Sequence, residues 1–248
     1  MASLSNAINL SISRLKTQGK MADPGHWQGI PTLGKPDLQT KEIVNLTWSV
    51  PMPLDRAALT LATRPNLPWA ELEFKERVSG RPQNPHESLK HWPWWRSQTD
   101  ETMVEGKFTH TYSERFWPQG IPGVRFRAGD LNDLLELLGE HPYTRQATLP
   151  IFFPEDTGAT HGGRIPCTLH YHFMLRHNEL HLWYPIRSCD AVRHFRDDIY
   201  MACRLVQWVI AQMMHRDQKR ELWPDVIPGE LHFTAYSFHV HMGDYHLL

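Results

Sequence analysis

The chain predicts an α+β fold. Helix-period and strand-period segments are mixed along it, without the strict strand–helix alternation of a doubly wound sheet. Residues 197–215 place Ile199, Ala202, Leu205, Val206, Val209, Ile210 and Met213 at three- and four-residue steps, the period of one helix face. Residues 168–175 and 179–184 read as two strands around His177-Asn178, a hairpin signal. Residues 230–241 read as a last strand, on which His239 and His241 share one face.

The other elements follow in order. Residues 1–40 carry Gly and Pro punctuation (Asp23-Pro24-Gly25, Ile30-Pro31, Lys35-Pro36) and are expected to form an irregular N-terminal arm. Residues 42–50 alternate as a strand, and residues 69–78 read as a short helix ended by Ser79-Gly80. The run His91-Trp92-Pro93-Trp94-Trp95 lies in a Pro- and Trp-rich stretch and is expected to form a wall or lid, since Trp joins large apolar area to one donor. Asp130 opens a helix that runs through Leu138 to Gly139, and residues 147–153 read as a buried strand. There is no internal repeat, so residues 1–248 are expected to form a single domain.

Composition excludes several functions. A net charge of -1 offers no bulk attraction to nucleic acid or to an anionic membrane surface. No apolar run has spanning length, and residues 1–20 lack a signal-peptide core, so a cytoplasmic protein is expected. The three cysteines, Cys167, Cys189 and Cys203, include no CxxC pair and form no disulfide framework. Histidine is abundant at 16 residues, with pairs at His170/His172 and His239/His241, but no zinc-site spacing accompanies them and no metal is expected.

Cys167 is the candidate nucleophile. It lies in Arg164-Ile165-Pro166-Cys167-Thr168, and the strand pair that follows would bring it to Arg187-Ser188-Cys189-Asp190. An Arg-Ser pair suits a phosphate clamp, and fixed positive charge favours the reactive thiolate.

These residues resemble the thymidylate synthase family, over residues 73–241. Pro166-Cys167 is similar to the family's nucleophile motif, and Arg187-Ser188-Cys189-Asp190 to its Arg-Ser-Cys-Asp motif. Asp197-Asp198-Ile199 stands where the family has Phe-Asn-Ile. Pro142-Tyr143-Thr144-Arg145 resembles the segment that carries the family's Pro-x-Ser-Arg-Arg, and Glu73-Phe74-Lys75-Glu76-Arg77-Val78-Ser79-Gly80 the Glu-Leu-Leu-Trp-Phe-x-x-Gly helix. Trp92 and Trp95 match two active-site tryptophans, Tyr112 the tyrosine after them, and Phe238-His239-Val240-His241 the x-His-x-Tyr strand.

The resemblance implies a large mixed β-sheet flanked by helices, and a homodimer packed sheet to sheet. It also implies roles. Cys167 would add to C6 of a pyrimidine nucleotide. Arg187 and Ser188 would hold the 5′-phosphate, and Arg145 would reach the phosphate of the neighbouring subunit. Asp190 would anchor the base edge or the folate ring, and His239 and His241 would contact the sugar. Tyr112 belongs to the same substrate site. Glu73 would order water and move protons, and Trp92 and Trp95 would face 5,10-methylenetetrahydrofolate, the co-substrate.

The departures decide the branch. Asp198 replaces the asparagine that reads uracil. A protonated Asp, or Asp⁻ against a protonated N3, completes both bonds to cytosine. The family also continues well past its x-His-x-Tyr strand, into a tail that closes over the folate. Leu248 follows His241 closely here, an ending that suits water addition better than hydride transfer. His241 in place of tyrosine leaves room for a 2′-hydroxyl. Gln146 follows Arg145, so the paired arginine is absent, and residues 29–34 stand where a phosphate-binding Arg-Thr-Gly loop is expected. The expectation is a cytidylate 5-hydroxymethylase acting on CMP or dCMP. A dUMP-using hydroxymethylase or synthase, and a non-catalytic nucleotide-binding relative, are the alternatives.

Overall fold

The computed structural model describes residues 3–27, 30–94, 103, 105–118, 130–157, 164–217 and 221–248. Its centre is a six-stranded mixed sheet. The strands are β1 (Lys20–Ala22), β4 (Thr40–Pro51), β5 (Thr148–Pro150), β6 (His170–Arg176), β7 (Glu179–Asp190) and β8 (Ile227–His241), in the spatial order β1-β4-β8-β7-β6-β5. Every pairing is antiparallel except β7 with β8, where Asp190 stands opposite His239. Strands β2 (His26–Trp27) and β3 (Ile30–Pro31) form a separate two-stranded ribbon. Residues His177 and Asn178 both take positive φ, 51° and 61°, which is the geometry a two-residue β6–β7 turn requires.

Six α-helices among the described residues accompany the sheet: α1 (Leu4–Gln18), α2 (Arg56–Thr63), α3 (Trp69–Arg77), α4 (Tyr112–Phe116), α5 (Leu131–Glu140) and α6 (Phe195–Arg216). Helix α6 packs on β7 and β8, and α2, α3 and α5 pack on α6. Its apolar stripe is fully buried, from Ile199 to Met213, with Cys203 among it. Burial of this kind, at roughly 25 cal/mol per Å² of apolar surface, is what holds a helix of this length to a sheet. The Asp130 carboxylate accepts from the backbone N–H of Asn132 and Asp133, while Asp133 answers the Asp130 N–H, so α5 opens on a closed capping box.

The sheet's second face is only partly covered. It carries His170 and His172 on β6, His181 and Trp183 on β7, and Glu230 and His232 on β8, all half-buried. Trp183 and His232 stack at 4.1 Å across the parallel pair. No helix among the described residues is long and apolar enough to cross a membrane.

Three expectations are corrected. The arm over residues 1–40 begins with the helix α1, whose Leu4, Ala7, Ile8, Ser11 and Leu15 are buried on one face. The strand at 147–153 shortens to β5 at the sheet edge, because only three residues find a partner on β6. Gly139 lies inside α5 rather than ending it.

Candidate active site

Cys167 precedes the sheet, one residue before a bridge between Thr168 and Ile186 of β7. Its carbonyl accepts from the Arg187 N–H at 2.8 Å, which locks the two motifs side by side. The sulfur opens into a cavity lined also by Glu73, Arg77, His86, Trp92, Tyr112, Arg164, Ser188, His194 and Asp198. Cys167 is partly exposed, whereas Cys189 and Cys203 are buried.

Arg187 is not among the residues that line this cavity. Its Nε donates to Pro166 O at 2.9 Å and its Nη2 to Ile165 O at 3.0 Å, carbonyls that have no strand partner at the chain's entry to the site. The guanidinium therefore props the nucleophile's loop, with Nη2 4.0 Å from Cys167 Sγ. The arginines on the cavity wall are Arg77 and Arg164.

The expected thiolate is also corrected. Burial pushes the Cys167 thiol up, and the carboxylates Asp198 and Asp190 add to this; Arg187 and Arg164 pull down but do not prevail. The resting form is the thiol. Iodoacetamide labelling of the Cys167 peptide, followed by mass spectrometry, should titrate above the usual thiol value of 9.0. Asp198→Asn should move that titration down, because a negative charge is removed; no movement would show that the carboxylate does not face the sulfur.

Asp198 sits in the first turn of α6, where its N–H bonds to His194 O at 2.8 Å. Its carboxyl is 8 % exposed and has no hydrogen-bond partner among the described residues. Burial pushes it up to about 7; Arg77 opposes this, and Asp197, Glu73 and Asp190 reinforce it. It is therefore shared between acid and carboxylate near neutrality, able to donate and to accept. Its neighbour Asp197 has a different task. Both Asp197 oxygens accept from Asn66, from N and Nδ2 at 2.7 Å each, which ties α6 to the turn before α3. The tandem acids are thus told apart by geometry: one is a tie, the other faces the cavity.

Glu73 lines the same wall from α3, and its carboxyl is ringed by donors. Arg77 Nε donates to Oε1 at 2.9 Å, and His86 Nδ1 and Ser88 Oγ donate to Oε2 at 2.6 and 3.0 Å. Burial pushes Glu73 up, but His86 and Arg77 overcome it and hold the carboxyl well below the usual range. His86 is pushed up in turn: burial opposes, and Glu73 and Glu76 prevail. Its Nε2 lies 2.6 Å from Ser113 Oγ, which itself donates to Gln83 O. Glu73, His86 and Ser113 thus form an acid–imidazole–hydroxyl chain, but Ser113 is fully buried and cannot meet a substrate.

Tyr112, on α4, places its hydroxyl 3.2 Å from Thr168 Oγ1, beside the nucleophile, with the Arg77 guanidinium 4.0 Å over its ring. Trp92 lines the cavity, in a chain of rings from Trp69 (5.6 Å) to His194 (5.0 Å). Trp95 and Gly29 lie outside the described residues.

The other expected residues separate from the cavity wall. Asp190 accepts from the N–H groups of Val192 and Arg193, both at 2.9 Å, and so shapes the turn from β7 into α6. His239 and His241 stand beside it, and one ligand atom from each of the three lies within 4.8 Å of the others. Such a donor set has the chemistry to hold a cation or a pair of hydroxyls. Burial raises the Asp190 carboxyl, but His239 and His194 outweigh it and draw the group down; burial lowers His239 against the opposing Asp190. Arg145 is exposed, away from the cavity of its own chain.

Arg77, His86, Arg164 and His194 were not among the expected site residues. Arg77 carried a signal, four positions after Glu73 on one helix face. His86 and His194 carried none, since tertiary contact alone brings them to the cavity.

Neither a family model nor a curated protein matches the sequence. Solved structures do match in shape. Thymidylate synthase from T4 phage superposes with a TM-score of 0.63 at 16% identity, over 95% of this chain and 76% of that one. The thermostable thymidylate synthase A of Bacillus subtilis superposes with a TM-score of 0.64 at 15% identity, over 99% and 83%. A partly exposed cysteine, a buried acid and an aromatic side chain therefore line one cavity in a chain that has the thymidylate synthase fold.

Proposed function

We propose that this chain is a pyrimidine nucleotide 5-hydroxymethyltransferase, transferring a one-carbon unit from 5,10-methylenetetrahydrofolate to C5 of CMP or dCMP. The observation that carries this reading is Asp198. A buried carboxyl without a hydrogen-bond partner among the described residues, pushed up to about 7, faces the cavity that holds Cys167. Burying such a group without a partner is unfavourable unless a ligand completes it. Cytosine offers an acceptor at N3 and a donor at N4, the complement of a carboxylic acid.

Cys167 adds to C6, and C5 becomes nucleophilic. The folate, against the flat Trp92 wall, supplies the carbon at the oxidation level of formaldehyde. Loss of the C5 proton, with tetrahydrofolate expelled from the new CH2 group, leaves an exocyclic methylene on the base. Water adds there, and Cys167 departs from C6. Asp198 meets the N3–N4 edge throughout, and Glu73, fixed as an anion, orients water and donors around it. Ser188 and Arg164 serve the phosphate, with Arg187 holding the loop beneath. His239, His241 and Asp190 receive the sugar. We further propose that two copies pack on the partly covered sheet face, with exposed Arg145 reaching the phosphate site of the neighbouring subunit.

The test is mass spectrometry of CMP, dCMP and dUMP after incubation with methylenetetrahydrofolate. Gain of one CH2O unit by a cytidine nucleotide is expected. Gain by dUMP alone would overturn the base assignment, and gain of CH2 would overturn the reaction.

A further inference from the structure

The aromatic wall carries a group that the proposed reaction has not yet used. His194 stacks on Trp92, with centroids 5.0 Å and planes 24° apart, and lines the cavity with Cys167, Ser188 and Asp198. It occupies the N-cap position of α6 but makes no capping bond with its side chain. Its ring nitrogens have no hydrogen-bond partner among the described residues. A stacked imidazole keeps its lone pair in the ring plane, off the indole face, and this ring lines the open space. Burial pushes it down to about 4; Asp190 opposes, while Arg164, Arg193 and Arg77 reinforce. The ring is therefore neutral at pH 7, and its lone pair is available.

We propose that His194 is the general base for the water that adds to the exocyclic methylene, an assignment that rests on the hydroxymethyltransferase reading. The step balances without an oxidant or reductant. The water oxygen bonds to the methylene carbon as the methylene π pair moves into the ring. That pair then expels the Cys167 sulfur from C6, restoring the C5–C6 double bond. His194 takes the water proton. The competing bases are engaged: the Glu73 oxygens already accept three hydrogen bonds, Asp198 meets the base edge, and Cys167 is bonded to C6. His110 also faces the cavity, with Thr109 Oγ1 3.3 Å from its Nδ1.

The experiment compares His194→Asn, His194→Gly and His110→Gln with the unaltered protein. Tritium release from C5 of CMP or dCMP and hydroxymethyl product are measured with methylenetetrahydrofolate, with and without 2-mercaptoethanol, which captures an exocyclic methylene as a thioether. His194→Asn should lose hydroxymethyl product by about 10²-fold. With the thiol present it should release tritium within about threefold of the unaltered rate, with thioether as product. Added imidazole should restore hydroxymethyl product in His194→Gly. Parallel loss of tritium release and product, an unchanged product-to-release ratio, or transfer of the phenotype to His110→Gln would each overturn the assignment. Absence of tritium release by the unaltered protein from any pyrimidine nucleotide would instead overturn the parent reading, and His194 with it.

Discussion

Replacing Cys167 by serine should abolish C5 tritium release while leaving nucleotide binding within about threefold. The sulfur is the only thiol that opens into the cavity, since Cys189 and Cys203 are fully buried. A serine hydroxyl keeps the size and the contacts but is far harder to deprotonate than a thiol. The loss should be on the order of 10³-fold or more, as for other nucleophile deletions in which several groups act as a unit. In the unaltered protein the rate should rise with pH as the raised thiol ionises. Exchange that survives in Cys167→Ser would remove covalent addition from the mechanism.

Asp198→Asn should change both substrate choice and stability. Exchange should shift from cytidine toward uridine nucleotides, because an amide N–H meets O4 and its carbonyl meets N3–H. Unchanged cytosine preference would sink the role given to Asp198. The stability effect follows from linkage. The folded carboxyl titrates at about 7, against an ordinary 3.8, so between those values the native state keeps a proton that the unfolded chain releases. The native state binds more protons there, and stability must fall as pH rises from about 4 to about 7. A displacement of about three units corresponds to an upper limit of about 4 kcal/mol at pH 8. Asn, uncharged and of the same shape, escapes this penalty. Asp198→Asn should therefore unfold at a higher temperature than the unaltered protein at pH 8, by several degrees, with the difference vanishing near pH 4. Equal melting temperatures at both pH values would show that the carboxyl is solvated. Asp197, pushed up to about 6 chiefly by burial, contributes a slope of the same sign in both proteins.

Much of the fold was legible because its signals are local. The α6 stripe, the β6–β7 turn and the alternation of β4 and β8 each follow from near neighbours in sequence. Cys167, Ser188 and Asp198 were legible together because one hairpin and one short turn separate them. Helix α1 was obscured by its serines and asparagines and by the Gly and Pro residues after it, although Leu4, Ile8, Ser11 and Leu15 keep the helical step. What stayed hidden depends on where donors and acceptors end up in space. Arg187 has the identity of a phosphate ligand, but unpaired carbonyls claim its guanidinium. Glu73 has the identity of a base, but Arg77, His86 and Ser88 fix its charge. The net state of the Cys167 thiol required weighing burial against two arginines, which residue order does not record.

The parallel β7–β8 pair ends in a turn that feeds directly into α6. The sulfur and the acid thus ride on different rigid pieces: one is pinned to the start of a hairpin, the other to the first turn of a helix anchored through Asp197 and Asn66. Base choice and bond-making chemistry can therefore drift independently. Redesign of this scaffold toward other pyrimidines should begin at that helix's opening turn and leave the sulfur's hairpin untouched.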